Sequence, residues 1–501
     1  MKKSVIVLKI AHKCVLTLIM AILFIASITS CKKDNHSLDD ELEDSKTTAY
    51  IEINKWILEN MQIYYLWNKQ IPQKTNQTLS PDKYFESLLY SADRFSWIQD
   101  NYVELLNSLS GVNTEAGYDF NLFFKSESSS EIIGCVTYIK PGTPAETAGL
   151  KRGDYFGEIN GTQMTFDNYS SLIKKTSEPH TLGVYNISGN TFTGAKKISL
   201  DVIENYPENP ILLDTVYNIS DVNIGYFVYN FFARDKGDGS IAYEKELNDI
   251  FSKFQSAQIN ELIVDLRYNS GGAVITTQAL ASMISGQNTE KIFYTEEYND
   301  IIDQEFRKYY GANYNKSYFI DKISRYDNSG KIIEQIPINS LSGLSTVYFI
   351  VSRRSASASE LLINGLDPYM NVVLIGDTTY GKNVASITIY EEDPVKQEDN
   401  KWGLQPIIMK MSNADGVSDY GEGFTPDTKI SEFDDEGLII KQLGDTDELL
   451  LKTTINKIFG VETKAATTKH LGNKAVFIGS AIDRTPARKN QYVSKPYLTH
   501  R

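Results

Sequence analysis

A strand–helix–strand cassette in the C-terminal half constrains this chain more than any other stretch. Thr346–Val351 (TVYFIV) is an unbroken apolar run, β-branched and aromatic, as expected of a strand buried on both faces. A helix is predicted from Ala358, with Leu361, Leu362 and Leu366 on one face. Residues 372–376 read as a second buried strand, and residues 376–382 (GDTTYGK) close the cassette in a Gly-Lys turn. Ser357 therefore stands where a strand delivers the chain into a helix N-terminus. Lys382 stands at the end of the neighbouring strand, 25 residues on. The pair reads as a nucleophile and its base.

Two other readings compete. Ser357-Ala358-Ser359-Glu360 also spells a capping box, which asks only hydrogen bonding of the serine. Residues 376–382 also satisfy the G-x-x-x-x-G-K of a phosphate-binding loop. That second reading fails twice. Asn383 replaces the Ser or Thr that would hold magnesium, and residues 384–390 (VASITIY) read as a strand where a helix N-terminus is needed. Histidine usage lifts the dyad above the plain cap. The histidines are His12, His36, His180, His470 and His500, so a Ser-His-Asp triad here would need one lent by a distant domain. Lysine is the remaining residue type able to deprotonate a serine, provided burial lowers its pKa.

The SASASE stretch with its downstream Gly-Lys, together with residues 265–272 (DLRYNSGG), resembles the carboxyl-terminal processing peptidases, the S41 family of serine proteases. The likeness covers about residues 46–458. It implies a serine endopeptidase acting on protein or peptide substrates, cleavage near their C-termini included. The implied fold is multidomain α+β: an N-terminal helical region, a PDZ-like β domain, and an α/β peptidase core of the ClpP/crotonase-like kind. Glu360, three residues past Ser357 on the same helix face, would by this resemblance help orient Lys382. One departure stands out. The family commonly has glutamine four residues after the lysine, and here Ser386 occupies that supporting position with a shorter reach.

Residues 1–31 form a targeting segment. Lys2, Lys3, Lys9 and Lys13 precede an apolar run at 15–28 that is too short to span a bilayer comfortably. Ile28-Thr29-Ser30-Cys31 resembles a bacterial lipoprotein box. That resemblance implies lipidation of Cys31, a lipid anchor to membrane, and a place in the bacterial cell envelope, facing the periplasm or the surface. Ordinary signal cleavage beside a free cysteine is the alternative. In the mature chain Cys135 would then be the one free thiol, so no disulfide can form within it. Residues 32–47 are acidic and polar, without Phe, Trp or Tyr, and are predicted to be a flexible tether.

Residues 48–112 show helical periodicity, with Trp56, Tyr64, Tyr65 and Trp67 expected in a core. A second helix should start at Ser80-Pro81, capped by the serine; Asp93-Arg94-Phe95-Ser96 closes the region. Residues 113–204 are strand-rich, and residues 139–154 (IKPGTPAETAGLKRGD) resemble a PDZ domain. Such domains bind extended C-terminal peptides by strand addition. By the resemblance, residues 167–174 form the groove-lining helix. Residues 117–120 (GYDF) form the carboxylate loop, with Gly117, Tyr118 and Phe120 as peptide-binding residues. Asp119 puts like charge where a carboxylate would dock, so capture of C-termini and another use of the groove both stay open. Ser171 and Lys174 spell S-x-x-K, but the chain has no S-D-N or K-T-G to go with them, so Ser171 reads as a surface helix residue.

Residues 205–460 hold the candidate catalytic body. A strand at 224–232, an amphipathic helix at 241–258 and a strand at 261–266 make a right-handed β-α-β unit. It runs into Asn269-Ser270-Gly271-Gly272, whose small residues let the backbone approach a ligand. The amides of Gly271 and Gly272, with that of Ala358 at the helix N-terminus, are candidate oxyanion donors; a plain tight turn is the alternative for the glycines. Residues 294–344 read as an aromatic-rich insertion on the surface or over the cleft. Residues 423–427 (GFTPD) resemble the G-x-x-P-D turn of the S41 core, and 445–459 should form a last helix. Residues 461–501, with eight Lys and Arg against Glu462 and Asp483, are predicted to be a flexible basic tail.

A net charge of −14 argues against nucleic acid as a partner. No metal or cofactor is implied. The competing function is a lipid-anchored peptide-binding protein on the same fold that has lost its activity.

Overall fold

Side-chain alternation sorts the C-terminal half into a six-stranded sheet. Its order is Ile211–Ile219, Val222–Tyr229, Glu261–Asp265, Thr346–Val351, Asn371–Gly376 and Thr428–Lys429. The first pair is antiparallel and the rest are parallel. Phe227, Leu262, Val264, Val347 and Phe349 share a core with the helices Ala242–Ser256, Val274–Ser285 and Ala358–Leu366. Tyr226, Ile263, Ile350 and Ile375 point the other way, onto Leu449–Ile458. The period-2 split is what a sheet covered on both faces requires, and each fully buried Phe, Leu or Val contributes roughly 1.5–3 kcal/mol. The computed structural model describes residues 38–126, 129–188, 191–327, 329–433, 440–461 and 477–484. The targeting segment and Cys31 lie outside the described residues. Among these residues no helix is long and apolar enough to cross a membrane.

The N-terminal region starts earlier than its composition predicts. The helix Leu38–Tyr64 takes in residues 38–47, the second part of the predicted flexible tether. Further along, Ile57, Met61 and Tyr65 are fully buried in the same core as the large sheet. Ser80 precedes the helix Pro81–Leu88, but its side chain makes no capping hydrogen bond. Trp97–Gln99 then pairs antiparallel with Gly403–Gln405, so this region is sewn into the C-terminal body.

The PDZ-like sheet runs Phe477–Ser480, Tyr118–Phe124, Ile132–Ile139, Tyr155–Ile159, His180–Ser188, Thr191–Leu200. The helix expected at 167–174 is shorter, Tyr169–Lys174. The outermost strand belongs to the predicted flexible tail and is followed by a 3₁₀ turn, Ala481–Arg484. The charge count over residues 461–501 hid a short apolar stretch, Phe477-Ile478-Gly479, that an open sheet edge can order.

Two further expectations are corrected. Residues 294–344 lie only partly at the surface. Ile292–Tyr298 is an inner strand of a four-stranded antiparallel sheet with Lys316–Tyr318, Ile407–Ser412 and Val384–Ser386. Phe293, Tyr294 and Phe319 fill the main core, because a chain this aromatic gains more by burial than by display. The strand expected over 384–390 breaks into Val384–Ser386 and Ile389–Tyr390, which join different sheets.

Candidate active site

Ser357 occupies the sharp corner between the Thr346–Val351 strand and the Ala358–Leu366 helix. Its backbone sits at φ 63, ψ −112, a left-handed conformation that costs an L-residue on the order of 1–3 kcal/mol. The residue is fully buried. Gly271 passes so close that a Cβ there would stand 2.7 Å from the Ser357 Cβ and 3.1 Å from the Ala358 amide nitrogen. With φ 112, the position demands glycine on both counts. Neighbouring bonds fix the glycine loop against the corner. The Ala356 amide donates to the Asn269 carbonyl at 3.1 Å, and the Ser359 hydroxyl donates to the same oxygen at 3.0 Å.

The three oxyanion candidates are not equivalent. The Gly271 amide donates to Asn269 Oδ1 at 2.9 Å, so it is committed within its own loop. The Ala358 amide is one of the first N–H groups of a helix, which the helix itself cannot satisfy. Gly272 follows at φ 134, where a Cβ would collide with the Phe232 carbonyl at 2.2 Å.

Glu360 joins the two halves of the site. Its Oε2 accepts from the Ser357 amide and from the Lys382 amide, both at 2.8 Å. Its Oε1 accepts from Thr379 Oγ1 at 2.6 Å and the Gly381 amide at 2.7 Å. A single buried carboxylate thus ties the Ser357 corner to the loop that carries Lys382. The expected contact to the lysine takes a different form: these bonds grip the lysine's backbone. Burial pushes the Glu360 carboxyl up, against the pull of those four donors.

Lys382 is fully buried. Desolvation brings its ammonium down to about 7, although the charges of Asp93 and Glu360 act in the opposite direction. The chain continues from it into the Val384–Ser386 strand, so no helix N-terminus follows the Gly-Lys turn and a phosphate loop is ruled out there. The GFTPD segment stitches the lysine loop in place. The Phe424 amide donates to Thr379 Oγ1 at 2.7 Å, and Asp427 Oδ2 accepts from the Leu374 amide at 2.8 Å.

Several residues at this site were missed by the sequence reading. Phe95 lies with its ring centroid 5.0 Å from Lys382 Nζ. Arg94 donates to the Gly381 carbonyl at 2.9 Å and the Gly421 carbonyl at 3.0 Å. Asp93 accepts from the Phe95 and Ser96 amides and from the Tyr65 hydroxyl. Buried Gln405 donates to Ser386 Oγ at 3.0 Å and accepts from Thr388 Oγ1 at 2.8 Å. A glutamine therefore does stand beside Ser386, but it comes from another strand. None of these had a local signal, because each reaches the site through pairing with distant chain.

Of the peptide-binding candidates, Tyr118 and Phe120 are fully buried in the PDZ-like core. Gly117 lies against Thr143, whose side chain would clash with a Cβ there. Tyr118 and Phe120 thus contribute their side chains to the core that also takes Ala481. Asp119 is likewise withdrawn: Arg354 donates to it through Nη1 at 2.6 Å and Nη2 at 3.0 Å. Arg152 donates to the Glu432 carboxylate and the Tyr268 hydroxyl. Tyr268 abuts the Asn269–Gly272 loop in sequence, so the PDZ-like domain is fixed to the body beside the glycine loop.

Residues 223–430 match the family model Peptidase family S41, residues 52–97 the Peptidase S41 N-terminal domain, and residues 135–186 a PDZ domain. The chain carries a peptidase family S41 domain. Carboxy-terminal processing protease CtpA of Bacillus subtilis is 25% identical over 315 residues, covering 60% of this chain and 54% of the relative. Carboxyl-terminal-processing peptidase 3, chloroplastic, of Arabidopsis thaliana is 23% identical over 312 residues, covering 58% and 52%. The chain thus spans about half the length of the curated relatives it matches. A crystal structure from Bacteroides fragilis NCTC 9343, named Putative S41 protease, superposes with a TM-score of 0.62 at 25% identity, over 81% of this chain and 98% of that one.

Proposed function

We propose that the chain is a serine endopeptidase in which Ser357 is the nucleophile and Lys382 the general base. One observation carries this reading: the Glu360 carboxylate clamps the backbones of Ser357 and Lys382 together, around a lysine whose burial brings it to about 7. Lys382 takes the proton as the Ser357 oxygen adds to a peptide carbonyl, then returns it to the leaving amine. Water attacks the acyl-enzyme by the same base, which restores the serine. The Ala358 and Gly272 amides receive the developing oxyanion, each worth roughly 3 kcal/mol of transition-state stabilisation. Gly271 shapes the loop that presents them, and Ser386 with Gln405 supports the lysine strand. Substrates are proteins or peptides. The names of the relatives support cleavage near C-termini, and the PDZ domain supports peptide binding or gating. The lipoprotein-like Cys31 supports a lipid anchor in a bacterial envelope.

Cleavage of an unfolded protein by the wild type, abolished in both Ser357→Ala and Lys382→Ala, is the expected result. A wild type that cleaves nothing and does not react with a serine-directed fluorophosphonate, yet binds peptides, would establish the inactive binding protein instead. The base must be neutral to act, so kcat/KM should climb about tenfold per pH unit below 7 and level off above it. A flat profile from pH 5 to 9 would remove Lys382 from the role.

A further inference from the structure

The tail strand sits where a PDZ domain takes its ligand. Phe477, Gly479 and Ser480 pair antiparallel with Phe123, Leu122 and Asn121 on the free edge of the Tyr118–Phe124 strand. The following turn touches both that strand and the Tyr169–Lys174 helix, so the segment fills the space between them. Its side chains are received as ligand side chains would be. Ala481 is 3% exposed within the PDZ-like core, and Ile478 packs against that core. The Phe477 ring meets Phe123 edge-on at 6.2 Å. Asp483 Oδ2 accepts from the Ser480 amide at 2.8 Å and closes the turn. The chain continues past this turn to residue 501, so the groove holds an internal segment and no terminal carboxylate. Asp119, at the carboxylate end of the groove, is occupied by Arg354.

We propose that residues 477–484 are a displaceable internal ligand of the PDZ domain, and that extended substrate segments with an apolar-Gly-small-small pattern reach this edge only by evicting them. This rests on the PDZ domain being a peptide reader, as proposed above, and is independent of whether the serine reacts. A tethered ligand competes at an effective concentration on the order of 1 mM. A free peptide whose Kd for the empty groove is about 10 μM is therefore weakened roughly 100-fold while the tail is seated.

The test uses the full chain carrying Ser357→Ala, so that no peptide is consumed, and a fluorescein-labelled peptide of residues 475–485 read by anisotropy. Adding Ala481→Arg should expel the tail, because the buried methyl pocket cannot take a guanidinium, and should tighten peptide binding roughly 100-fold. The same peptide carrying arginine at that position should not bind. No gain in binding, or a PDZ domain that melts once the tail is displaced, would make the segment a permanent strand and overturn the proposal. A second variant, Asn121→Cys/Ser480→Cys, joins two paired residues. Its oxidised form should lose the residual peptide binding and regain it on reduction. Binding unchanged by a disulfide confirmed by mass spectrometry, or a disulfide that never forms, would equally overturn it. Failure of hydrolysis in the wild type would leave this result standing and sink only the peptidase reading.

Discussion

Ser357 carries backbone strain that packing alone does not explain. A left-handed serine at a strand–helix corner is held there by Glu360 on its amide and by the glycine loop against its side chain. Removing the hydroxyl in two ways separates strain from chemistry. Ser357→Ala and Ser357→Gly should both be inactive, but the glycine variant should be more stable than the alanine variant by about 1 kcal/mol, read from urea midpoints. Lys382 supplies a second such test. Its amine is at about 7 when folded and at its ordinary value near 10.4 when unfolded. The unfolded chain therefore binds more protons between those values, and native stability rises with pH across that window. Lys382→Met removes the burden. It should stabilise the chain at pH 7.5 by on the order of 3 kcal/mol, with the advantage fading toward pH 10.5. Thermal melts of both proteins across that range check the sign. At this scale the sequence was most legible where chemistry is local. Ser357, Glu360 and Lys382 sit in one strand–helix–strand cassette whose periodicity fixes which ends face one another. Gln405 and Phe95 were illegible, because nothing in QPI or RFS shows which distant strand will pair beside them.

Elements in this molecule are joined by buried charge as well as by apolar packing. Asp119 on a PDZ strand and Arg354 in the loop before Ser357 form a bidentate pair, both under a tenth exposed. Burial alone would raise the Asp119 carboxyl, and the Arg354 charge overrides it, so the group ends below its ordinary value. A depressed carboxylate adds stability above about pH 4 and loses it as pH falls further, so this junction should be among the first to loosen in acid. Arg354→Ala leaves a buried carboxylate unpaired. It should cost on the order of 3–5 kcal/mol at neutral pH, with the PDZ domain melting apart from the body in calorimetry. The Asp119→Asn/Arg354→Met double variant should recover much of that loss. Asp119 had looked like an obstacle to a carboxylate ligand. Its role as half of an inter-element pair could not be read without knowing that residue 354 comes to meet it. Glu360 is the corresponding joint inside the body. Glu360→Gln turns two of its hydrogen-bonding positions into donors facing donors, which should cost on the order of 2–4 kcal/mol and at least tenfold in kcat, measured by denaturation and peptide hydrolysis.

For the molecule as a whole, the class of fold followed from apolar periodicity and a few glycine-rich turns, and those are local properties. The boundaries that failed were decided by long-range partners. Residues 38–47 are helical within a helix whose later turns bury Ile57 and Met61. Residues 477–480 are ordered against an edge that they could not announce. Tyr294, Tyr298 and Phe319 became core because Ile292–Tyr298 found a partner in Ile407–Ser412. The Trp97–Gln99 strand has one more consequence, for the order of events during synthesis. Its partner, Gly403–Gln405, lies about 300 residues later, and Arg94 waits for the Gly381 and Gly421 carbonyls. At roughly 5–20 residues per second, a ribosome needs about 15–60 seconds to supply them. Throughout that interval the emerging polypeptide lacks the partners that close these contacts, so they can assemble only once residue 421 has been made.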